Sequence, residues 1–227
     1  MKKETFLYIF VIAGAVFLAA GLANMEWLQW ISKPLIMLAL ILYYLRAQKD
    51  FSYLNSKPVL GAMFCSLAGD TLLLGQQQDE AFFLAGLIAF LLAYVGYSFA
   101  LRQHRYLPGA GLYGTQQFRL ALPIVLAGTG LYTVLYPHLG NLKGAVMAYT
   151  LVIVVMALQA LFRYGYTNAR SYWMVLAGAV LFMTSDGVLA VNKFIAPVVF
   201  ADLVIMSTYL AAQYLLVQGL MHHQRQA

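Results

Sequence analysis

Eight long apolar runs alternate with short polar segments along the chain. They span roughly residues 5–23, 27–45, 58–75, 81–101, 119–136, 143–162, 172–191 and 197–219. Each run approaches the roughly 20 apolar residues that a helix needs to cross a bilayer. Period-two alternation is absent, and an open sheet cannot satisfy its backbone in lipid. The pattern therefore predicts an all-α, polytopic membrane bundle of about eight transmembrane helices, with residues 1–227 forming a single integral membrane domain.

The composition excludes a soluble protein and a nucleic-acid binder. Hydrophobic residues make up 63% of the chain and charged residues 10%, whereas soluble domains have about 25% charged residues. The formal net charge is +6, but the basic residues are spread over the loops and form no basic face. Cys65 is the single cysteine, which rules out an intramolecular disulfide and a zinc motif.

The basic residues outside the apolar runs predict the orientation. One side carries 11 of them: Lys2, Lys3, Arg46, Lys49, Lys57, Arg102, Arg105, Arg119, Arg163, Arg170 and Arg225. The other side carries 2, Lys143 and Lys193. Lysine and arginine accumulate in cytoplasmic loops, so we expect both termini in the cytoplasm of a bacterium, the bundle in its inner membrane, and the first helix acting as an uncleaved signal anchor.

A faint internal repeat suggests two parallel four-helix halves. The string GDTLL occupies residues 69–73 and SDGVL occupies residues 185–189. Phe83 and Tyr97 correspond to Phe200 and Tyr214 at a shift of 117 residues.

Four charged residues fall within the apolar runs: Lys33, Asp70, Asp186 and Asp202. Such residues usually face the bundle interior and mark a functional site. Counted from the predicted helix ends at about 1.5 Å per residue, all four lie within roughly 7–9 Å of the outer interface. Structural roles are the alternatives: Asp202 as a first-turn partner of the helix dipole, Lys33 snorkelling outward, and Asp70 or Asp186 in an ion pair with Lys33.

Two carboxyl groups in one low-dielectric site do not both ionise readily, which provides an acid and a base together. We therefore predict that Lys33, Asp70 and Asp186 line one cavity. The four histidines fall in loops or at the tail, which excludes a Ser-His-Asp triad within the bundle, and no metal or cofactor is expected. Five tyrosines are candidates to line such a cavity: Tyr94, Tyr97, Tyr132, Tyr149 and Tyr209.

Four strings and a tripeptide resemble one known family. They are FCSLAGDTLLL (64–74), FFLAGLIAFLLAYVGY (82–97), GAVLFMTSDGVLAVNKF (178–194), YLAAQYLL (209–216) and KPL (33–35). In this order they resemble the YhhN-like lysoplasmalogenases, eight-helix membrane enzymes that hydrolyse the vinyl-ether bond of lysoplasmalogens. The resemblance implies a lysoplasmenylethanolamine or lysoplasmenylcholine substrate, and a fatty aldehyde and a glycerophospho-base as products. Tyr94 stands where the family implies a histidine.

The expected site follows from these segments. Asp70 and Asp186 are the predicted catalytic residues, and the predicted supporting or substrate-binding residues are Lys33, Ser185, Tyr94, Tyr97, Tyr149, Asn192, Tyr209 and Gln213. The expected partners are a lysophospholipid substrate and membrane lipid. Two other functions remain open: a proton- or cation-coupled transporter, since intramembrane aspartates also make ion relays, and a non-catalytic lipid-binding protein.

Overall fold

The computed structural model describes residues 3–48, 57–105 and 111–224, with the side chains of Gln77, His223 and Gln224 left out. This part of the chain contains eight α-helices and no strand. They are α1 (Lys3–Leu22), α2 (Glu26–Gln48), α3 (Lys57–Leu74), α4 (Glu80–Gln103), α5 (Gly114–Leu135), α6 (Lys143–Leu161), α7 (Ala169–Phe194) and α8 (Ala201–Gln224). All eight are long and apolar enough to cross a membrane. The predicted all-α bundle of eight spans is confirmed.

The helix faces explain why the chain needs lipid. Large apolar side chains point outward on several spans, including Ile12, Phe64, Ile88 and Leu151, each exposed by more than half. Water would penalise so much exposed apolar surface, whereas lipid tails accept it. The protein is therefore a multi-pass integral membrane protein. Lys2, Lys49 and Arg225, which support the predicted orientation, lie outside the described residues.

Most predicted helix boundaries agree with the structure to within a few residues, and α8 shows why some do not. It begins at Ala201, not at 197 as the apolar run predicts. Pro197 lies in the preceding connection, where the Val198 amide donates to Asn192 Oδ1 over 2.9 Å. Phe200 then takes a left-handed φ of 56°. A proline and a positive φ interrupt helical geometry, although the residues themselves are apolar.

The chain folds into two compact units, Met1–Tyr97 and Ser98–Ala227, with the boundary inside α4. In the first unit α1 packs on α2. Five of the buried residues of α1 follow a heptad-like spacing: Phe6, Phe10, Ala13, Phe17 and Ala20. A stripe with this spacing forms a continuous seam along one face of a helix.

In the second unit α7 and α8 form the most extensive helix pair. Gly178 faces the Ala212 carbonyl, which would lie 3.0 Å from an added Cβ, and Gly219 faces the Val175 side chain at 2.6 Å from such an atom. Small residues at these two places let the helix backbones approach closely, as is common between membrane helices. This packing fixes the register of α7, which carries Asp186.

Candidate active site

Asp70 is buried in α3, four residues before the last residue of that helix, with 2% of its surface exposed. Ser66 lies one turn earlier on the same helix and is also fully buried. Gly69 brings α3 against α4, because a Cβ at this position would lie 2.7 Å from the Phe90 ring. The carboxyl group thus lies in a tightly packed, membrane-spanning region, where a buried carboxyl group needs polar neighbours.

Tyr97 of α4 supplies polar neighbours on the same side. Its hydroxyl lies near Ser66, and Asp70 and Tyr44 are close enough to interact with it electrostatically. Tyr44, Ser66 and Tyr97 are each fully buried. Tyr97 therefore places a buried hydroxyl group near both Ser66 and Asp70 of α3. The sequence reading identified Tyr97 but missed Ser66, although its place one turn before Asp70 in FCSLAGD was a usable signal.

Tyr94, which replaces the histidine implied by the family resemblance, is also fully buried. Its ring stacks on Phe90 with centroids 6.4 Å apart. Phe90 is the residue that packs against Gly69. Tyr94 thus belongs to the aromatic layer that supports the Asp70 turn of α3.

Lys33 lies in the first half of α2, directly before Pro34. Its side chain is half-buried, and its Nζ lies 5.7 Å from the centre of the Phe17 ring of α1. Pro34 has no amide hydrogen to donate to the carbonyl of Trp30, so the helical hydrogen-bond ladder is interrupted beside Lys33. A cation–aromatic contact stabilises the ammonium group within the apolar span.

Asp186 lies in α7 and has a hydrogen-bond partner on another helix. Tyr149 of α6 donates its hydroxyl hydrogen to Asp186 Oδ2 over 2.7 Å. Both side chains are half-buried, so Asp186 is more accessible than Asp70. Hydrogen bonds to a carboxylate are short and strong, and this one fixes the position of Asp186 Oδ2.

The remaining predicted residues of the second unit help to hold α7 and α8 together. Ser185 Oγ donates to the Ile205 carbonyl over 2.9 Å. Gln213 Nε2 donates to the Tyr209 hydroxyl over 3.1 Å, and the Tyr209 ring packs edge-on against Phe182. Asn192 accepts the Val198 amide in the connection between the helices. Each of these four residues therefore has a contact that stabilises the fold, independently of any contact with a substrate.

The depths of the charged residues differ from the sequence estimate. Asp70 is four residues from the end of α3 and Asp186 is eight from the end of α7, or about 6 Å and 12 Å along the helix axes. Asp186 is deeper than predicted because α7 continues to Phe194. Asp202 is the second residue of α8 and is exposed. It therefore does not share the predicted layer and lies in the first turn, where a carboxylate interacts favourably with the helix dipole.

Comparison with known proteins identifies the family of this chain. Three similar proteins are named lysoplasmalogenase: TMEM86B of Sus scrofa, 33% identical over 84% of this chain and 74% of its own; TMEM86B of Rattus norvegicus, 35% identical over 82% and 72%; and TMEM86A of Homo sapiens, 30% identical over 84% and 77%. No solved structure matches the chain. The YhhN family profile matches residues 28–220, a range that includes all the residues predicted to form the site. The chain belongs to the YhhN family.

Proposed function

We propose that this protein is a lysoplasmalogenase, a hydrolase that cleaves the vinyl-ether bond of a lysoplasmalogen within the membrane. Its similarity to proteins of that name supports the reaction. The observation that carries the chemistry is the presence of Asp70 and Asp186 inside membrane-spanning helices. A carboxyl group in such a place is costly to the fold and is usually kept for function.

The first step is a proton transfer to carbon. One aspartic acid gives its proton to the vinyl carbon that is not bonded to oxygen. The electrons of the carbon–carbon double bond form the new C–H bond, and the adjacent carbon and the ether oxygen share the resulting positive charge as an oxocarbenium ion. The other aspartate stabilises this cation by its negative charge. Proton transfer from a positioned acid contributes about 10²–10⁴-fold to a rate.

The second step is the addition of water. The aspartate carboxylate removes a proton from water as its oxygen bonds to the oxocarbenium carbon, which gives a hemiacetal. The carboxyl that took the proton from water then gives it to the glycerol oxygen, while the first aspartate accepts the hemiacetal hydroxyl proton. The bond from carbon to the glycerol oxygen breaks, and an alcohol and a fatty aldehyde are released. One water is consumed and both carboxyl groups regain their starting states. Glycosidases handle a related cation with two carboxyl groups.

The contacts suggest how the two roles are divided. Asp186 Oδ2 accepts a hydrogen bond from Tyr149, which suits the carboxylate that faces the cation and activates water. Asp70 is more deeply buried, with the Tyr97 hydroxyl nearby, and we assign it the role of proton donor. Both residues are proposed to act on the same bound lipid. In this scheme Tyr149 is a positioning residue, since it acts through Asp186.

Lys33 is proposed to set the charge balance of the carboxyl pair without reacting. Its half-buried ammonium, placed over the Phe17 ring, keeps a positive charge inside the span. We expect Lys33→Met to lower activity and to displace the pH–rate profile along the pH axis. Arg119→Gln, which removes an exposed positive charge from α5, should leave the profile in place. An unshifted profile for Lys33→Met would contradict this role.

The proposed substrate is a lysophospholipid, the class implied by the names of the similar proteins. A single-chain lipid can place its tail among apolar side chains while its headgroup stays near the interface. We propose lysoplasmenylethanolamine or lysoplasmenylcholine, reached from the outer side of a bacterial inner membrane with both termini in the cytoplasm.

The test uses purified protein and three matched lysolipids with a vinyl-ether, a saturated alkyl-ether or an acyl chain. Fatty aldehyde should appear only from the vinyl ether, because the alkyl-ether and acyl lipids have no vinyl carbon–carbon double bond to protonate. In heavy water the aldehyde, trapped at once as its alcohol, should carry one deuterium on the carbon next to the former carbonyl. Release of fatty acid from the acyl lipid alone would indicate an esterase. No turnover of any lipid would favour the transporter or lipid-binding alternatives.

A further inference from the structure

A second polar cluster lies in the unit Ser98–Ala227, just beyond the end of α6. Arg163 follows the last residue of that helix by two positions and is completely buried. Its Nε donates to the His104 carbonyl over 3.3 Å, and its Nη2 donates to Ser171 Oγ over 3.0 Å. Its Nη1 is buried and has no hydrogen-bond partner among the described residues. Buried guanidinium nitrogens are rarely left in this state.

Among the described residues of this unit, no acidic side chain lies near Arg163. The acidic side chains of residues 98–227 are Asp186 and Asp202. Asp186 is 17 residues beyond Ala169 on α7, which is about 25 Å along the helix. Asp202 opens α8, whose other end meets the start of α7 through the hydrogen bond from Ser171 Oγ to the Gly219 carbonyl, over 2.6 Å. Both carboxylates therefore lie toward the opposite end of the α7–α8 pair, away from Arg163.

The charged neighbour of Arg163 is another cation, Arg105. Burial lowers the pKa of Arg163 to about 9, and repulsion from Arg105 acts in the same direction. The Arg105 guanidinium is itself held by Gln159, through both the backbone carbonyl and the side-chain oxygen. Arg105 Nε is also buried without a hydrogen-bond partner in the described part of the chain. Arg163 donates to the carbonyl of His104, the residue directly before Arg105, so the two arginines are neighbours. Two like charges that are short of acceptors cost free energy unless an anion joins them.

We propose that Arg105 and Arg163 bind a phosphate-type oxyanion at this end of the unit, away from the aspartate of α7. Such an anion supplies negative charge and several acceptor oxygens at once, and guanidinium groups match its geometry with paired N–H donors. Gln159, Ser171 and the His104 carbonyl hold the two side chains in place for this task.

The surroundings indicate a lipid headgroup as the source of the phosphate. Arg163 lies between the spans that end at Leu161 and begin at Ala169, which is the depth of the headgroups. Tyr172 packs edge-on against both Tyr164 and Trp173, and Tyr164 and Trp173 are 47% and 63% exposed. Aromatic side chains of this kind mark the membrane interface, and basic pockets between helices there bind anionic lipid headgroups.

The first test is thermal unfolding of the purified full chain in a neutral detergent, with added phosphatidylglycerol, phosphatidylcholine or inorganic phosphate. We expect phosphatidylglycerol to raise the unfolding midpoint in a saturable manner and phosphatidylcholine to have little effect. Stabilisation by inorganic phosphate with no further gain from phosphatidylglycerol would keep the anion site and assign it to free phosphate. No anion-dependent stabilisation of the wild-type protein would overturn the proposal.

The second test locates the site. Arg163→Gln should weaken the apparent affinity for phosphatidylglycerol by about tenfold or more, since hydrogen bonds to charged groups are lost. Arg163→Lys should lose most of the effect, because it keeps a charge without the paired donors. Arg105→Gln provides the same measurement if Arg163 variants do not fold. Arg119→Gln, an exposed arginine on α5, is the matched control. Equal responses of the Arg105, Arg163 and Arg119 variants would show a general charge effect and contradict the proposal.

Discussion

The two aspartates lie in similar sequence motifs but in different surroundings. GDTLL places Asp70 on α3 and SDGVL places Asp186 on α7. The residue before Asp70 is Gly69, whose missing side chain lets the Phe90 ring approach α3. The residue before Asp186 is Ser185, whose hydroxyl donates to the Ile205 carbonyl of α8. One small residue thus allows close packing, and the other forms a polar link between helices.

The difference extends to the carboxyl groups themselves. Asp70 is almost completely buried, with Ser66 and Tyr97 nearby. Asp186 is half-buried and takes a phenol hydrogen bond from Tyr149. The geometry of Asp70 therefore depends on how tightly α3 and the Phe90 layer pack, whereas that of Asp186 depends on hydrogen bonding that includes the Tyr149 hydroxyl of α6. Changes to packing and changes to hydrogen bonding should affect the two residues unequally.

The largest expected effect comes from replacing the carboxyl groups. We expect Asp70→Asn and Asp186→Asn each to lower kcat by at least about 100-fold, because an amide cannot transfer the proton. The thermal midpoint should stay equal or rise, because a carboxyl kept for chemistry is a cost to the fold. Aldehyde release and thermal unfolding in detergent measure the two quantities.

The double variant shows whether the two aspartates act as one unit. If they do, Asp70→Asn combined with Asp186→Asn should be scarcely slower than either single variant, as is found for cooperating catalytic groups. Multiplicative losses would mean that the residues act independently. Near wild-type turnover by both single variants would eliminate the acid–base scheme, and misfolding of both would favour a structural ion pair.

A smaller effect is expected from Tyr149→Phe, which removes the hydrogen bond to Asp186 and keeps the ring. A hydrogen bond to a charged group contributes about 1.5–3 kcal/mol, so kcat should fall by about 10-fold to 100-fold, with little change in KM. Tyr132→Phe is the control, because the Tyr132 hydroxyl donates to the Lys143 carbonyl and not to a carboxylate. Equal rates for Tyr149→Phe and wild type would remove Tyr149 from its positioning role.

A packing change should affect the Asp70 side in a different way. A methyl group at Gly69 would meet the Phe90 ring at 2.7 Å, so we expect Gly69→Ala to lower the free energy of unfolding by about 1–3 kcal/mol. Gly61 is on the same helix with nothing within 4 Å of an added Cβ, so Gly61→Ala should stabilise by about 0.5–1 kcal/mol. Equal shifts of the thermal midpoint in the two variants would contradict the close packing of Gly69 against Phe90.

The sequence predicted the helices well because long apolar runs have few alternatives in lipid. It failed at boundaries that local contacts determine: Asn168 caps α7 by accepting the Ser171 amide, which starts that helix three residues before the predicted run. It predicted Asp70 and Asp186 because a carboxylate in an apolar run is conspicuous. It could not predict that Tyr149, 37 positions from Asp186, would be its hydrogen-bond partner, since helix register is a property of packing.

The burial of Arg163 is another feature that the sequence could not predict. In the sequence it is one of several loop arginines and contributes to the orientation estimate. The structure buries it beside Ser171 and the His104 carbonyl, residues 8 and 59 positions away. Loop position alone gives no measure of burial, so a charge count treats Arg163 and the exposed Arg170 as equal.

The smallest effect is expected from Asp202→Asn. This variant tests whether any carboxylate in a membrane helix affects activity or only the two proposed catalytic aspartates do. Asp202 is exposed in the first turn of α8, where its charge favours the helix dipole by about 0.3–1 kcal/mol. Asp202→Asn should therefore lower the unfolding free energy by no more than about that amount and leave kcat within about twofold of wild type. Asp186→Asn, the same substitution in the same unit, is its natural comparison. A large loss of kcat in Asp202→Asn, with the thermal midpoint unchanged, would place a third carboxylate in the chemistry and require the two-aspartate scheme to be revised.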